Sequence, residues 1–253
     1  MLTSDIAPGS HWPTMFARLR RLPGGELGKE QLLTADFLLD EEDDLRSYWI
    51  PFERLNAAAR VAIVGLTPGW YQMKQAFTAA RDALVTGVTD EHEILEHVER
   101  EAGFAGVMRT NMVRMLDSIG LAEALDLQTC DELFAKQVAL LHGTSALRYP
   151  VFVAGENYGG QKPPVFRSPL LTRQVREQLA PELAAVPDAL VIPLGKAAEG
   201  CLHALIADGS LDELRCLFGF PHPSGGNGHR VAQFQRNQAT LQAQVSQWAP
   251  TSS

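Results

Sequence analysis

Four short apolar runs constrain what this chain can fold into more than any other feature: Arg60 to Val64, Tyr149 to Ala154, Ala189 to Leu194 and Leu214 to Phe218. Each is bounded downstream by a glycine, at Gly65, Gly155, Gly195 or Gly219. A short run without a polar face predicts a strand buried on both sides, the kind that parallel sheets cover with helices. Helical periodicity fills the segments between them: Trp70 to about Leu84, Glu91 to Arg100, Val107 to Ile119, Cys130 to Leu141, Leu171 to Leu183, Lys196 to about Ala207, and Val231 to Trp248. Strands alternating with helices predict an α/β fold, a three-layer α/β/α arrangement around a central, mostly parallel four-stranded sheet.

The chain ahead of the first run reads differently. Residues 1–44 are expected to form an irregular N-terminal arm, with a short helix over Lys29 to Leu39 and a solvated acidic run, Asp40-Glu41-Glu42-Asp43-Asp44. Residues 45–253 are expected to form the α/β domain, opening with a helical spacing of Tyr48, Trp49, Phe52 and Leu55. Across 253 residues the 45% hydrophobic and 21% charged content is that of a soluble globular protein. No apolar run is long enough for a bilayer, and Met1 to Asp5 lack the pattern of an export signal, so a cytoplasmic monomer without membrane contact is expected. The 3 cysteines, Cys130, Cys201 and Cys216, are expected to be reduced and buried. His92 and His97 stand five apart, which puts them on different helix faces, so no metal site is expected there; no cofactor is expected either.

A net charge of −8 argues against a surface coated for nucleic acid. Two stretches depart from it. Gln161 to Arg176 carries Lys162, Arg167, Arg173 and Arg176 without an acid, and Gly219 to Asn237 carries Arg230 and Arg236 without one. Such stretches suit a narrow phosphate-binding face. In open α/β sheets the ligand crevice lies beyond the carboxyl ends of the strands, and Thr67, Asn157 and His222 all follow expected strand ends. His222 is clamped between Pro221 and Pro223, which restrict the backbone on both sides and aim the imidazole.

These residues carry a resemblance. The chain resembles the uracil-DNA glycosylase superfamily through Gly65-Leu66-Thr67-Pro68-Gly69 at the end of the first strand, His222-Pro223-Ser224 late in the chain, and Leu194-Gly195-Lys196-Ala197 between them. The likeness runs over roughly residues 45 to 248. It implies a monofunctional glycosylase that flips a pyrimidine out of single- or double-stranded DNA and hydrolyses its sugar–base bond, in repair by base excision. In that reading His222 stabilises the departing base anion. Thr67 stands where members of that superfamily often carry Asp or Asn and others Ala, and a hydroxyl can hold a water without taking its proton. Asn157 would read the base edge, with Glu156 as a rival acceptor suited to cytosine. Gly65, Leu66, Pro68 and Gly69 would line the base site, and Tyr71 and Phe77 would stack on it. Lys162, Arg167, Ser224, Gly225, Asn227, His229 and Arg230 would meet DNA. Gly69, where strict uracil-specific members have Tyr, implies room for a C5 substituent. That room admits an alternative role in defence, removing bulky modified cytosines from phage DNA. An inactive nucleic-acid-binding homologue is the other alternative.

Overall fold

The structure, a computed structural model, describes residues 6–249, so the expectation for Met1 to Asp5 and the last four residues of the expected domain lie outside the described residues. Seven strands are present among the described residues: β1 (Leu38–Glu42), β2 (Leu45–Tyr48), β3 (Val61–Gly65), β4 (Leu141–Ser145), β5 (Val151–Val153), β6 (Glu156–Asn157) and β7 (Leu190–Pro193). They form two sheets, β1-β2-β5-β6 and β4-β3-β7, where the sequence predicts one four-stranded sheet. The chain is a mixed α/β protein that divides into two compact units.

The first unit comprises Met1–Leu55, Leu66–Gly103 and Thr144–Ala185. Its sheet is antiparallel along β1-β2-β5-β6. The expected second strand enters here as β5, and the reason is the turn that follows it. Ala154 (φ 49°) and Gly155 (φ 84°) both take positive φ, which makes a two-residue hairpin returning at once as β6. A parallel neighbour would need a crossover of a dozen residues or more. The expected helix after residue 44 is strand β2: Leu45 and Ser47 are buried while Arg46 and Tyr48 are half-buried, a period of two, and Pro51 blocks helical continuation.

The N-terminal arm is also corrected. Trp12–Leu19 is a helix, and its Trp12, Met15 and Leu19 join Leu27, Leu32 and Phe37 in one core with Trp49, Met73, Phe77, Ile94 and Phe152. A boundary after residue 44 would cut the β1–β2 pair, in which Glu42 faces Leu45. The acidic run is put to use. Glu42 accepts from the Ser168 hydroxyl (2.8 Å) and the Leu170 N–H (2.7 Å), capping the helix Pro169–Gln174, and Asp40 pairs with Arg173. The basic loop is therefore partly neutralised within its own unit. A buried ion pair, Arg148 Nη2 to Glu182 Oε2 at 2.6 Å, fixes the strand-side segment to the helix Ala180–Ala184.

The second unit comprises Asn56–Gly65, Phe104–Gly143 and Val186–Ser253. Here the expectation of buried parallel strands holds for β3 and β7, paired in register from Val61↔Leu190 to Val64↔Pro193. The fourth expected strand is reduced to a parallel bridge, Val191↔Cys216, because Glu213–Arg215 close into a tight helical turn. The third strand of this sheet is β4, in a stretch whose beginning reads as helix from sequence; Cys130–Phe134 and Val138–Leu140 are single helical turns instead. Val61, Ile63, Leu190, Ile192 and Leu217 form the core with Met112 and Leu116 of the helix Gly106–Ser118 and with Phe234, Leu241 and Val245 of the helix Arg230–Trp248. Cys130, Cys201 and Cys216 are buried free thiols, as expected, and burial pushes those of Cys201 and Cys216 up to about 12. No described helix is long and apolar enough to cross a membrane.

Candidate active site

In the first unit the turn Leu66-Thr67-Pro68-Gly69 leads into the helix Trp70–Val85. The first N–H groups of a helix have no partner within it. Asn157, on β6, supplies one: its Oδ1 accepts from the Trp70 N–H at 2.9 Å. That bond fixes the orientation of the amide, since only the oxygen can accept. The Nδ2 end points to Gly69, where a Cβ would stand 3.3 Å from it. The Asn157 amide therefore borders the space left by the missing side chain at Gly69, and a Cβ there would be in tight contact with it. Asn157 keeps its Nδ2 donor, and its Oδ1 retains a second lone pair beside the Trp70 N–H.

Thr67 does not cap the helix. Its hydroxyl donates to the Tyr149 carbonyl (3.4 Å) and accepts from the Val151 N–H (3.3 Å), stitching the turn to the chain entering β5. With its one proton spent, the hydroxyl retains a lone pair, enough to accept from a water and orient it. Glu156 has its side chain 87% exposed and 3.8 Å from Lys29 Nζ, which also donates to the Gly155 carbonyl at 3.0 Å. Phe77 is fully buried against Phe37 and Trp49, so it packs the core and stacks on no ligand. Tyr71 is 69% exposed on the first turn of the same helix, and Lys162 and Arg167 are exposed.

In the second unit the loop Gly219 to His229 holds His222 half-buried. Its Nδ1 accepts from the Ser224 N–H at 3.2 Å. Burial depresses the imidazole below its ordinary 6.5, so the ring is neutral near pH 7. With Nδ1 occupied as an acceptor, the proton sits on Nε2 and makes that atom an oriented donor. Gly195 makes the placement possible: at φ 84° and ψ 172° it packs so close that a Cβ would lie 3.0 Å from the His222 Cβ. The loop is tied at several points. Asn111 Nδ2 donates to the Pro223 carbonyl (2.9 Å), Asn227 Nδ2 to the His222 carbonyl (3.1 Å), and Arg230 Nη1 to the Ser224 carbonyl (2.7 Å). At its start, Glu199 Oε2 accepts from the Gly219 N–H (2.8 Å) and Asn237 Nδ2 donates to the Gly219 carbonyl (2.7 Å).

The chain is 43% identical over 236 residues to YoxB of Bacillus subtilis (strain 168), described as an uncharacterized protein, and the match covers 92% of each chain. It belongs to the YoxB family. No protein-family model matches, and no solved structure matches.

Two groups of candidate residues form in this YoxB-family chain, one within each unit. Asn157, Thr67 and Gly69 are brought together in the first unit, and His222, Ser224, Gly225, Asn227 and Arg230 in the second. Asn227 and Arg230 are tied into the loop, while His229 is exposed at its end. The residues that sequence reading missed are Asn111, Glu199 and Asn237, each on a helix packed beside the histidine loop. Their polar side chains on otherwise core-facing helices were the available signal, one that many solvent-facing residues share.

Proposed function

We propose that this protein is a monofunctional DNA glycosylase that hydrolyses the N-glycosidic bond of a flipped-out pyrimidine, and that the α/β/α layering of that superfamily describes its fold. The observation that carries the reading is the state of His222: a neutral imidazole, its Nδ1 held by the Ser224 N–H, offering Nε2–H as a donor. Breaking a sugar–base bond sends the bonding pair to the base, which leaves as an anion, and leaves an oxocarbenium-like sugar. A fixed donor aimed at the base carbonyl lowers that barrier by a few kcal/mol, the scale of an oxyanion contact. Water then adds to the sugar carbon and releases its proton to solvent. In the first unit, the Thr67 hydroxyl keeps a lone pair able to orient a water, and the Asn157 amide offers a donor suited to a carbonyl or ring nitrogen of a base. Asn157 borders the space at Gly69 and Glu156 is exposed beside Lys29, so neither by itself selects a bulky C5 substituent.

The test is a panel of single- and double-stranded oligonucleotides holding uracil, hydroxymethyluracil or cytosine, followed by alkaline cleavage of abasic sites. Release from at least one is expected, with a loss on the order of 100-fold or more in His222→Ala. No abasic product at stoichiometric protein rejects the reading. The Thr67 hydroxyl, which cannot take a proton from water at neutral pH, favours a second reading: a DNA-binding homologue without turnover. Retained DNA binding with no base release from the unsubstituted protein identifies it.

A further inference from the structure

Gly195, Glu199 and His203 stand four apart, the first as N-cap and the others within the helix Lys196–Ala207, a spacing that sets them along one face. That face runs beside the entry of the histidine loop. His203 stacks on the Phe218 ring with centroids 4.2 Å apart, Glu199 Oε2 accepts from the Gly219 N–H at 2.8 Å, and the Gly195 N–H donates to the Phe220 carbonyl at 3.0 Å. The three contacts follow the loop in order, and Gly195 ends the row against His222 itself.

Glu199 is the polar member at the centre of this row. A half-buried carboxylate gives up water and is held by donors in its place. Here the donor is one peptide, gripped from both sides: Glu199 takes the N–H of Gly219, and Asn237 Nδ2 donates to its carbonyl at 2.7 Å. The second carboxylate oxygen, Oε1, lies 3.8 Å from His203 Nε2, so the ring that stacks on Phe218 also steadies the carboxylate. Between Gly219 and His222 stand only Phe220, which is buried, and Pro221, whose φ is fixed. A displacement of the Gly219 peptide is therefore carried on to the imidazole.

We propose that Glu199 is a positioning residue, which sets the His222 imidazole by holding the Gly219 N–H, with His203 keeping its carboxylate in place. The inference deepens the glycosylase reading and rests on it for the reaction served, while the placement of the ring needs no substrate. The experiment uses the full chain, isotope-labelled at its histidine nitrogens, with the His222 signals assigned by their loss in His222→Ala. The unsubstituted protein shows the Nε2–H tautomer and a titration midpoint below 6.5. In Glu199→Ala the Gly219 N–H loses its acceptor, the ring becomes a mixture of tautomers and the midpoint moves up toward 6.5. Single-turnover base release then falls by up to about 100-fold, the scale of a group displaced by about 1 Å. Glu199→Gln keeps a carbonyl oxygen for the same N–H and restores the ring signature with most of the rate. His203→Ala frees the carboxylate without removing it and shifts the ring the same way by less, a measurement that stands even where Glu199→Ala does not fold. An unchanged His222 signature in the folded variants of Glu199→Ala and His203→Ala overturns the inference. So does a Glu199→Gln chain that behaves as Glu199→Ala, because charge and not the acceptor would then be what matters. No base release from the unsubstituted protein refutes the glycosylase reading alone, since the ring signature still decides what Glu199 does.

Discussion

Replacing Gly195 by alanine separates a backbone requirement from an ordinary helix position, because Gly195 is the N-cap of the helix Lys196–Ala207 and Gly200 lies inside it. At Gly195 the backbone sits at φ 84° and ψ 172°, a region that L-residues enter at a cost of about 1–3 kcal/mol. The added Cβ would also be 3.0 Å from the His222 Cβ, and relieving such overpacking costs about 1–3 kcal/mol more. Part of the two costs is met by one backbone shift, which gives about 3 kcal/mol and a fall in Tm of roughly 6–12 °C for a chain of this size. At Gly200 a Cβ meets nothing within 4 Å, so alanine there stabilises by about 0.5–1 kcal/mol through helix propensity. Thermal unfolding by circular dichroism reads both. The same displacement moves the imidazole, and misplacement by about 1 Å costs on the order of 100-fold in rate if His222 is catalytic. Gly195→Ala and Gly200→Ala shifting Tm in the same direction would refute the reasoning.

Asn157→Ala removes the cap on the Trp70 N–H and is expected to cost about 1 kcal/mol, while Gly69→Ala pushes against the Asn157 amide. The two should be non-additive in denaturant unfolding, the alanine at 69 costing less once Asn157 is gone. Glu182→Ala strands the buried guanidinium of Arg148 and should destabilise by about 3–5 kcal/mol, the largest of these effects, readable as a lowered denaturation midpoint. Because burial lowers the folded-state value for His222, the unfolded chain takes up its proton first as pH falls. The resulting stability is complete above about pH 6.5 and is lost as pH drops through the folded-state value. An NMR titration of the His222 ring should show a midpoint below 6.5, and His222→Ala should lose that part of the acid dependence of Tm.

Local chemistry made much of this molecule legible. The β-branched run at Val61 and the apolar run at Leu190 became paired parallel strands, since a segment with no polar side must be covered on both sides. The helices Trp70–Val85, Glu91–Ala102, Gly106–Ser118 and Arg230–Trp248 followed from their apolar spacing. The constraint on His222 was equally local, coming from its two proline neighbours. Sheet membership and the use of each polar atom were decided at long range. The run at Val151 has the same character as that at Val61, yet the positive φ of Ala154 and Gly155 turned it into a hairpin with the first unit's antiparallel sheet. The acidic run at Asp40, solvated by its sequence, was claimed by Ser168, Leu170 and Arg173. Gly69 reads as empty space until Asn157, far along the chain, is seen to border it. A side chain's identity fixes what it can donate or accept, and only the folded chain fixes which partner arrives to take it.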